Sequence, residues 1–241
     1  MTEQGDLFAG GVAEASSRPA FGGVIGCIDL QQRFVASGVE GLDEGDTLAL
    51  VLSRCLAPGA DPILAADALL GRFGGVGRIL GAAEADLARV IGVDAARQLS
   101  LLHALLQRAL EYPLRQRTVL SSFDAVRSYL RVRLAALPRE VFHVLFLDKR
   151  NCLIADECLG VGSVDHAPVY PREVVRRALE LSASAILLAH NHPSGDPTPS
   201  RADIDMTKLV VEAAKALQIV VHDHLVVAGG QVASLRSLGL M

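Results

Sequence analysis

Two histidines, one aspartate and one serine in the second half of the chain have types and spacing that suit metal chemistry. His190 and His192 end an apolar run, 184–189, that has the composition of a buried strand. Because residues i and i+2 of a strand point to the same face, both imidazoles can be directed at one point. A loop rich in proline then turns the chain, and Asp203 falls on the first turn of a helix predicted to begin near Ser200. Two imidazoles and a carboxylate are three zinc ligands with a fourth position left for water, so the pattern predicts a catalytic zinc site.

The spacing of Ser200 and Asp203 also fits a helix capping box, in which each side chain bonds to the backbone of the other residue. Ser200 could serve in both a cap and a catalytic site, whereas we expect Asp203 not to serve fully in both. The histidine pair beside a Pro/Gly loop favours the metal interpretation, because functional sites commonly lie at such strand ends.

The pattern His190-x-His192-x7-Ser200-x2-Asp203 resembles the JAMM (MPN+) zinc hydrolase motif, and HNHPSGDPTPSRAD resembles RadC-like proteins. The similarity covers about residues 118–241 and is looser before them. It implies an α/β domain of the JAMM/MPN type, similar to cytidine deaminases, with a mixed sheet flanked by helices. It also implies a zinc-dependent hydrolase of amide bonds, a metallopeptidase or isopeptidase acting on a peptide or protein.

Enzymes of this kind take a general acid/base glutamate from an upstream strand, and the matching residue here is Glu140, at the start of the run 140–147. The resemblance assigns to Ser200 the stabilisation of the developing oxyanion. Glu157 and Glu173 are alternatives for the base. Glu157 lies in a second predicted strand, and Glu173 lies near the start of a helix, where the helix dipole already favours an acid. An ordinary charged residue at a strand end is the other interpretation of Glu140.

A second histidine pair, His222 and His224, repeats the i, i+2 spacing within 218–228. No third ligand with its own spacing accompanies it, so we interpret the pair as a polar patch or as hydrogen-bonding support for the first site. Asn191 should point to the opposite face from its two neighbouring histidines and hold the loop. The sequence has no Gly-x-Ser-x-Gly elbow, no deaminase signature and no Walker-type phosphate loop.

Composition places few limits on function. The chain has 241 residues, of which 51% are hydrophobic, enough to form substantial cores, and its net charge of −4 gives no global basic footprint. Residues 108–139 are nevertheless basic, with seven arginines against two acidic residues. These arginines could contact a nucleic-acid backbone, although a solvated helix face is the commoner meaning of such a run. DNA is therefore a possible partner, and a RadC-like role in repair or recombination, by DNA binding or nuclease action, is the alternative function. The seven are Arg108, Arg115, Arg117, Arg127, Arg131, Arg133 and Arg139.

The spacing of the cysteines and the absence of long apolar runs favour a cytoplasmic location. The four cysteines show no Cys-x-x-Cys spacing, and a chain of this length needs no disulfide framework, so we expect reduced thiols. No apolar run reaches the ~18 residues of a membrane span, and the first residues are acidic where a signal peptide is basic. We therefore expect a cytoplasmic protein with no membrane contact. The oligomeric state is left open. The cysteines are Cys27, Cys55, Cys152 and Cys158.

Four regions are predicted along the chain: a flexible arm (1–28), a small all-α domain (29–111), a linker (112–120) and the catalytic domain (121–241). Helices in the all-α domain should start near capping aspartates at positions 46, 61 and 94. Within it, 87–99 resembles a helix-hairpin-helix unit whose second glycine is replaced by Asp94. That carboxylate would repel phosphate and offer a helix cap, so a packing module is favoured over a DNA contact.

Alternating helix and strand patterns predict the elements of the catalytic domain, with the site at the carboxyl end of a strand. No internal repeat is visible. The predicted elements are a helix at 122–131, strands at 140–147 and 153–161, a helix at 171–182, a strand at 184–190, a helix at 201–217, and strands at 218–228 and 231–235.

Overall fold

The computed structural model of the protein describes residues 23–119, 123–162 and 169–241. The predicted arm over residues 1–22, and the start of the helix expected from Ser122, lie outside these ranges. Within them, no helix combines the length and the apolar character needed to cross a bilayer.

The first part of the chain is all helical, as predicted, and encloses its own core. Leu30, Leu52, Leu69, Leu87 and Leu99 are buried together at its centre, so each helix supplies an apolar face to a common cluster. The elements are α1 (Gly23–Ser37), a 3-10 turn (Val39–Gly41), α2 (Glu44–Leu52), α3 (Pro62–Phe73), α4 (Val76–Gly81), α5 (Glu84–Ile91) and α6 (Val93–Gln116).

Only one of the three expected capping aspartates is an N-cap. Asp61 accepts hydrogen bonds from the first-turn amides of α3, with Pro62 at the first helical position. In α2 the cap is Asp43, and Asp46 is its capping-box partner three residues later. The prediction of a capping role for Asp94 is wrong, because Gly92 occupies the N-cap of α6 with no side-chain cap bond. The φ of +82° at Gly92, which favours glycine, lets the chain pass from α5 to α6 within one residue.

Two expected helix limits also differ from the structure. Helix α1 begins at Gly23, so residues 23–28 of the predicted arm are helical, and its Leu30 is buried in the core. Helix α6 does not stop at the predicted linker but continues through Pro113 to Gln116. Proline removes one helical hydrogen bond. Two contacts hold the final turn against the sheet. Leu114 is buried in the core under the sheet, and the guanidinium of Arg115 donates to the carbonyl of Ile154 at 2.7 Å.

A five-stranded mixed sheet in the order β2-β1-β3-β4-β5 forms the second part of the chain, which confirms the predicted α/β class. Strand β1 is antiparallel to both β2 and β3, β3 is parallel to β4, and β4 is antiparallel to β5. The predicted strand limits hold to within two residues. The strands are β1 (Val141–Leu147), β2 (Leu153–Val161), β3 (Ala185–Asn191), β4 (Val220–Ala228) and β5 (Gln231–Ser234).

Helices cover both faces of this sheet. Helix α7 (Phe123–Leu134) and the end of α6 pack on one face against Leu145 and Leu187. Helices α8 (Pro171–Glu180) and α9 (Arg201–Ala216) pack on the other, against Phe146 and Leu188. All seven residues of the central strand β3 are buried, as expected for a strand with helices on both sides. The carboxyl end of β3 is therefore buried, and so is Asp203 on the first turn of α9.

Candidate metal centre

Buried polar side chains concentrate where β3 ends and α9 begins. Ten polar or charged residues are buried in the described part of the chain, and six of them lie at this place or directly beside it. Burial of so many polar groups is costly unless they serve one another or a ligand. The six are Glu140, His190, Asn191, Asp203, Thr207 and His224.

The three side chains predicted as zinc ligands converge. His190 Nε2 lies 2.9 Å from His192 Nε2 and 3.4 Å from Asp203 Oδ1, and His192 Nε2 lies 3.6 Å from Asp203 Oδ2. A tetrahedral zinc with bonds of about 2.0–2.2 Å needs ligand atoms about 3.3–3.6 Å apart. The two histidine–aspartate separations lie within that range and the histidine–histidine separation is about 0.4 Å shorter, so a small outward movement of one imidazole fits the three residues to a zinc ion.

Glu140 completes the cluster. Its carboxylate and the ligand atoms of the two histidines and Asp203 all lie within 4.8 Å of one another. The antiparallel register pairs Phe142 with His190, so Glu140, two residues before Phe142, lies on the side of His192, two residues after His190. Glu140 is only 7% exposed, and its carbonyl accepts a hydrogen bond from the amide of Gly162 at 2.8 Å.

Asn191 points to the other face of the strand, as predicted, but its side chain holds the segment that carries Glu140 and not the loop that follows β3. Its Oδ1 accepts from the amide of Val141 at 2.9 Å, and its Nδ2 donates to the carbonyls of Leu137 and Arg139 at 3.3 and 3.0 Å. The residue between the two histidines therefore also positions the glutamate that faces them.

Asp203 serves in the cap and in the cluster together, which corrects the expectation that it could not do both. Its Oδ2 accepts from the amide and the hydroxyl of Ser200 at 2.7 and 2.6 Å, and its own amide donates to Ser200 Oγ at 3.2 Å. Oδ1 is directed at His190. The two roles coexist because a carboxylate has two oxygens with several acceptor sites.

Charge at the centre favours an ionised Asp203. Burial raises its pKa, but the adjacent imidazoles of His190 and His192 outweigh burial and hold the pKa far below its ordinary value. The hydrogen bond to Asp203 raises the pKa of His192, against the opposing effect of burial. Asp203 is thus a carboxylate at any physiological pH, as a metal ligand must be.

The two rival glutamates are engaged elsewhere. Glu157 forms a two-pronged ion pair with Arg177 of α8, both contacts at 2.6 Å, and this hydrogen bonding lowers its pKa. Glu173 pairs with Arg176 at 3.0 Å. Neither belongs to the cluster that contains the histidines, so of the three candidates the structure brings only Glu140 to the site.

The second histidine pair divides between two tasks. His222 contacts Asn151 Oδ1 at 2.6 Å, outside the cluster. His224 is fully buried, and its Nε2 lies 2.8 Å from His190 Nδ1, which agrees with the expectation of hydrogen-bonding support. Thr207 on α9, whose hydroxyl lies 2.6 Å from His224 Nδ1, was not predicted from the sequence. The one sequence feature that points to it is its position one helical turn after Asp203.

The chain is similar to known proteins over most of its length. Residues 120–240 match the family model described as the RadC-like JAB domain. The chain belongs to that family. It is also 49% identical over 214 residues to a UPF0758 protein of Rhodobacter capsulatus, and the alignment covers 88% of this chain and all of the relative. In this RadC-like JAB domain the cluster at the end of β3 is thus a candidate metal site formed by Glu140, His190, His192 and Asp203.

Proposed function

We propose that the protein is a zinc-dependent hydrolase that cleaves an amide bond in a peptide or protein substrate. The observation that carries this proposal is the convergence of His190, His192 and Asp203 at tetrahedral spacing, with Glu140 beside them. Two imidazoles and one carboxylate suit zinc better than magnesium or calcium, which prefer oxygen ligands throughout.

The catalytic roles follow from the donor set. His190, His192 and Asp203 would hold the zinc ion, which would supply Lewis-acid activation of a substrate carbonyl and of water. Glu140 is the general acid/base: it takes a proton from the attacking water and delivers one to the departing nitrogen. A carboxylate with so little exposure keeps these protons away from bulk solvent. His192, whose side chain is 15% exposed, marks the side from which a substrate reaches the cluster.

Ser200 keeps its proposed role as the donor to the developing oxyanion. Its residue is exposed at the start of α9, and its hydroxyl donates to Asp203 Oδ2 at 2.6 Å. A hydroxyl rotates about its C–O bond, so Ser200 can turn this single proton from the carboxylate towards a substrate oxygen that becomes negative.

A DNA-associated role, the alternative, has less support, because several arginines of the basic segment are used inside the protein. Arg115 bonds to Glu111 and to a β2 carbonyl, Arg127 donates to the carbonyl of Val232, and Arg133 contacts Asp156. Arginines engaged in this way are less available to phosphates. Gel shifts at rising salt test the alternative, because binding through phosphates weakens steeply with salt.

Elemental analysis of the purified full-length protein, with hydrolysis of a fluorogenic peptide library, tests the proposal. Wild-type protein should carry one zinc per chain, and His190→Ala should lose both the metal and the activity. Glu140→Gln should keep zinc and lose activity. His222→Ala is the matched control, since it removes a half-buried histidine outside the cluster. Zinc retained in His190→Ala at the wild-type level would refute the site.

A further inference from the structure

A third histidine lies directly behind the ligand His190. His224 on β4 is opposite Leu188 in the parallel β3–β4 register, so its side chain shares the face of the sheet that carries His190. It is completely buried, and its Nε2 lies 2.8 Å from His190 Nδ1. This is hydrogen-bond distance, so one of these two nitrogens must carry the shared proton.

Thr207 decides which nitrogen that is. Its hydroxyl lies 2.5 Å from the carbonyl oxygen of Asp203 and 2.6 Å from His224 Nδ1, and Thr207 is also fully buried. A carbonyl oxygen can only accept, and a hydroxyl has one proton to give. The hydroxyl therefore donates to Asp203, and it must accept from an N–H at His224 Nδ1.

The direction of each remaining bond follows. With its proton on Nδ1, neutral His224 presents a lone pair at Nε2, so His190 must donate from Nδ1. That arrangement leaves the lone pair of His190 on Nε2, the nitrogen that faces Asp203 and His192. The hydrogen bonds form a continuous chain. It runs from the main-chain carbonyl of one ligand, Asp203, through Thr207 and His224 to another ligand, His190.

We propose that Thr207, acting through His224, is a positioning residue that sets His190 in the tautomer able to bind a divalent cation through Nε2, the nitrogen at the cluster. The proposal rests on the metal site of the proposed function, because a tautomer matters only if Nε2 is a ligand. Thr207 and His224 contact neither metal nor substrate in this role. They also tie the orientation of the His190 ring to the helix that carries Asp203.

His192 obtains an acceptor for its Nδ1 proton in a simpler way. Its Nδ1 donates to the main-chain carbonyl of Asp196 at 2.7 Å, so Nε2 is the nitrogen left to bind a cation. That partner belongs to an exposed loop residue. At the buried His190 the acceptor is instead Nε2 of His224, which Thr207 holds in place.

The experiment uses full-length protein and two readouts. Zinc affinity is measured by competition with a chelator for wild type, Thr207→Val, Thr207→Ser and Ser234→Ala. Separately, long-range ¹⁵N–¹H spectra of selectively labelled, metal-free protein at a pH of about 8, above the ordinary histidine pKa of about 6.5, show which nitrogen of His190 is protonated. Ser234→Ala is the matched control, because it removes a buried hydroxyl that bonds to Asp223 and not to His224.

Thr207→Val keeps the side-chain shape but cannot accept from His224, and it should weaken zinc binding about 10–100-fold. Thr207→Ser should restore most of the loss, and Ser234→Ala should bind zinc as the wild type does. The wild-type spectrum should show protonated Nδ1 on both His190 and His224. In Thr207→Val, His190 should shift towards protonated Nε2.

Failure of this proposal is distinguishable from failure of the proposed function. If the spectrum of the wild-type protein shows a proton on His190 Nε2, the proposed role of Thr207 and His224 is overturned, even if every variant misfolds. Unchanged zinc affinity in folded Thr207→Val also overturns it, while leaving the metal site intact. If the wild type binds no zinc, the proposed function fails, and so does the proposed role of Thr207 and His224 in metal binding.

Discussion

Asn191, which separates the two ligand histidines, fixes the main chain on both sides of Glu140. Its side chain bonds to the backbone of Val141 after the glutamate and to Arg139 before it. A single residue thus sets the spacing between the histidines on β3 and the proposed base at the entrance to β1.

Replacing Asn191 with alanine should separate these two functions. The variant loses three hydrogen bonds to the 137–141 segment, so Glu140 is free to move while the histidines stay on the strand. We expect turnover to fall about 10–100-fold, since small misplacements of a catalytic group cost that much, with zinc content unchanged. The free energy of unfolding should fall by about 1–3 kcal/mol. Peptide kinetics and zinc analysis of the same sample check this, and loss of zinc would contradict the assignment of Asn191 to Glu140.

A series of glutamate-to-glutamine variants tests the identity of the base. Glu140→Gln should lower kcat about 10²–10⁴-fold, the usual contribution of general acid–base catalysis. Glu157→Gln and Glu173→Gln should retain kcat within about twofold, since both residues are paired with arginines away from the cluster. Steady-state kinetics at one pH suffice. A loss in Glu157→Gln as large as that in Glu140→Gln would be incompatible with the proposed mechanism.

A buried cluster around Asp156 makes stability depend on pH. Asp156 accepts from His143 Nδ1 at 2.7 Å and from the Tyr129 hydroxyl at 2.5 Å, and Arg133 lies 3.4 Å away. Burial raises the pKa of Asp156, but the bond to His143, together with Tyr129 and Arg133, outweighs it and lowers the pKa. A depressed folded pKa means that the ionised form stabilises the fold above the unfolded value of about 3.9, and that this contribution disappears as pH falls through the folded value.

Asp156→Asn should therefore cost about 3–5 kcal/mol at neutral pH, as expected when a buried charge cluster loses one member. The difference between wild type and variant should be constant from pH 7 to about 5 and shrink below about 4. Urea unfolding across this pH range measures it. The control is Glu157→Gln, which alters a less buried ion pair and should cost about 1 kcal/mol or less. A difference that grows on acidification would show that the sign is wrong.

Gly81 lies where α4 meets the turn after α7. A Cβ added there would come within 2.2 Å of the Cβ of Ala136, closer than real carbon contacts allow, so the backbone must shift. We expect Gly81→Ala to lower the free energy of unfolding by about 1–3 kcal/mol. Gly77→Ala in the same helix meets nothing within 4 Å and should stabilise by about 0.5–1 kcal/mol. Thermal unfolding of the pair gives the comparison, and equal effects would exclude a steric cause.

The ligand set could be predicted from sequence because it depends on local rules: strand alternation for His190 and His192, and first-turn position for Asp203. Thr207 could not, because its role exists only once β4 lies beside β3 and brings His224 under α9. The Asp156 cluster could not be predicted from sequence for the same reason, because its members are far apart in the chain and come from α7, β1 and β2. The course of α6 past Pro113 was mispredicted because contacts with the sheet outweigh local propensity there.

The continuity of α6 has a mechanical consequence. The helix contributes Leu99 to the core of the helical region and Leu114 to the core under the sheet, about 22 Å apart at 1.5 Å per residue. A hinge between the two regions would require this helix to bend or melt. We therefore expect the two regions to unfold in one calorimetric transition, so that a destabilising substitution in either core lowers the unfolding temperature of both.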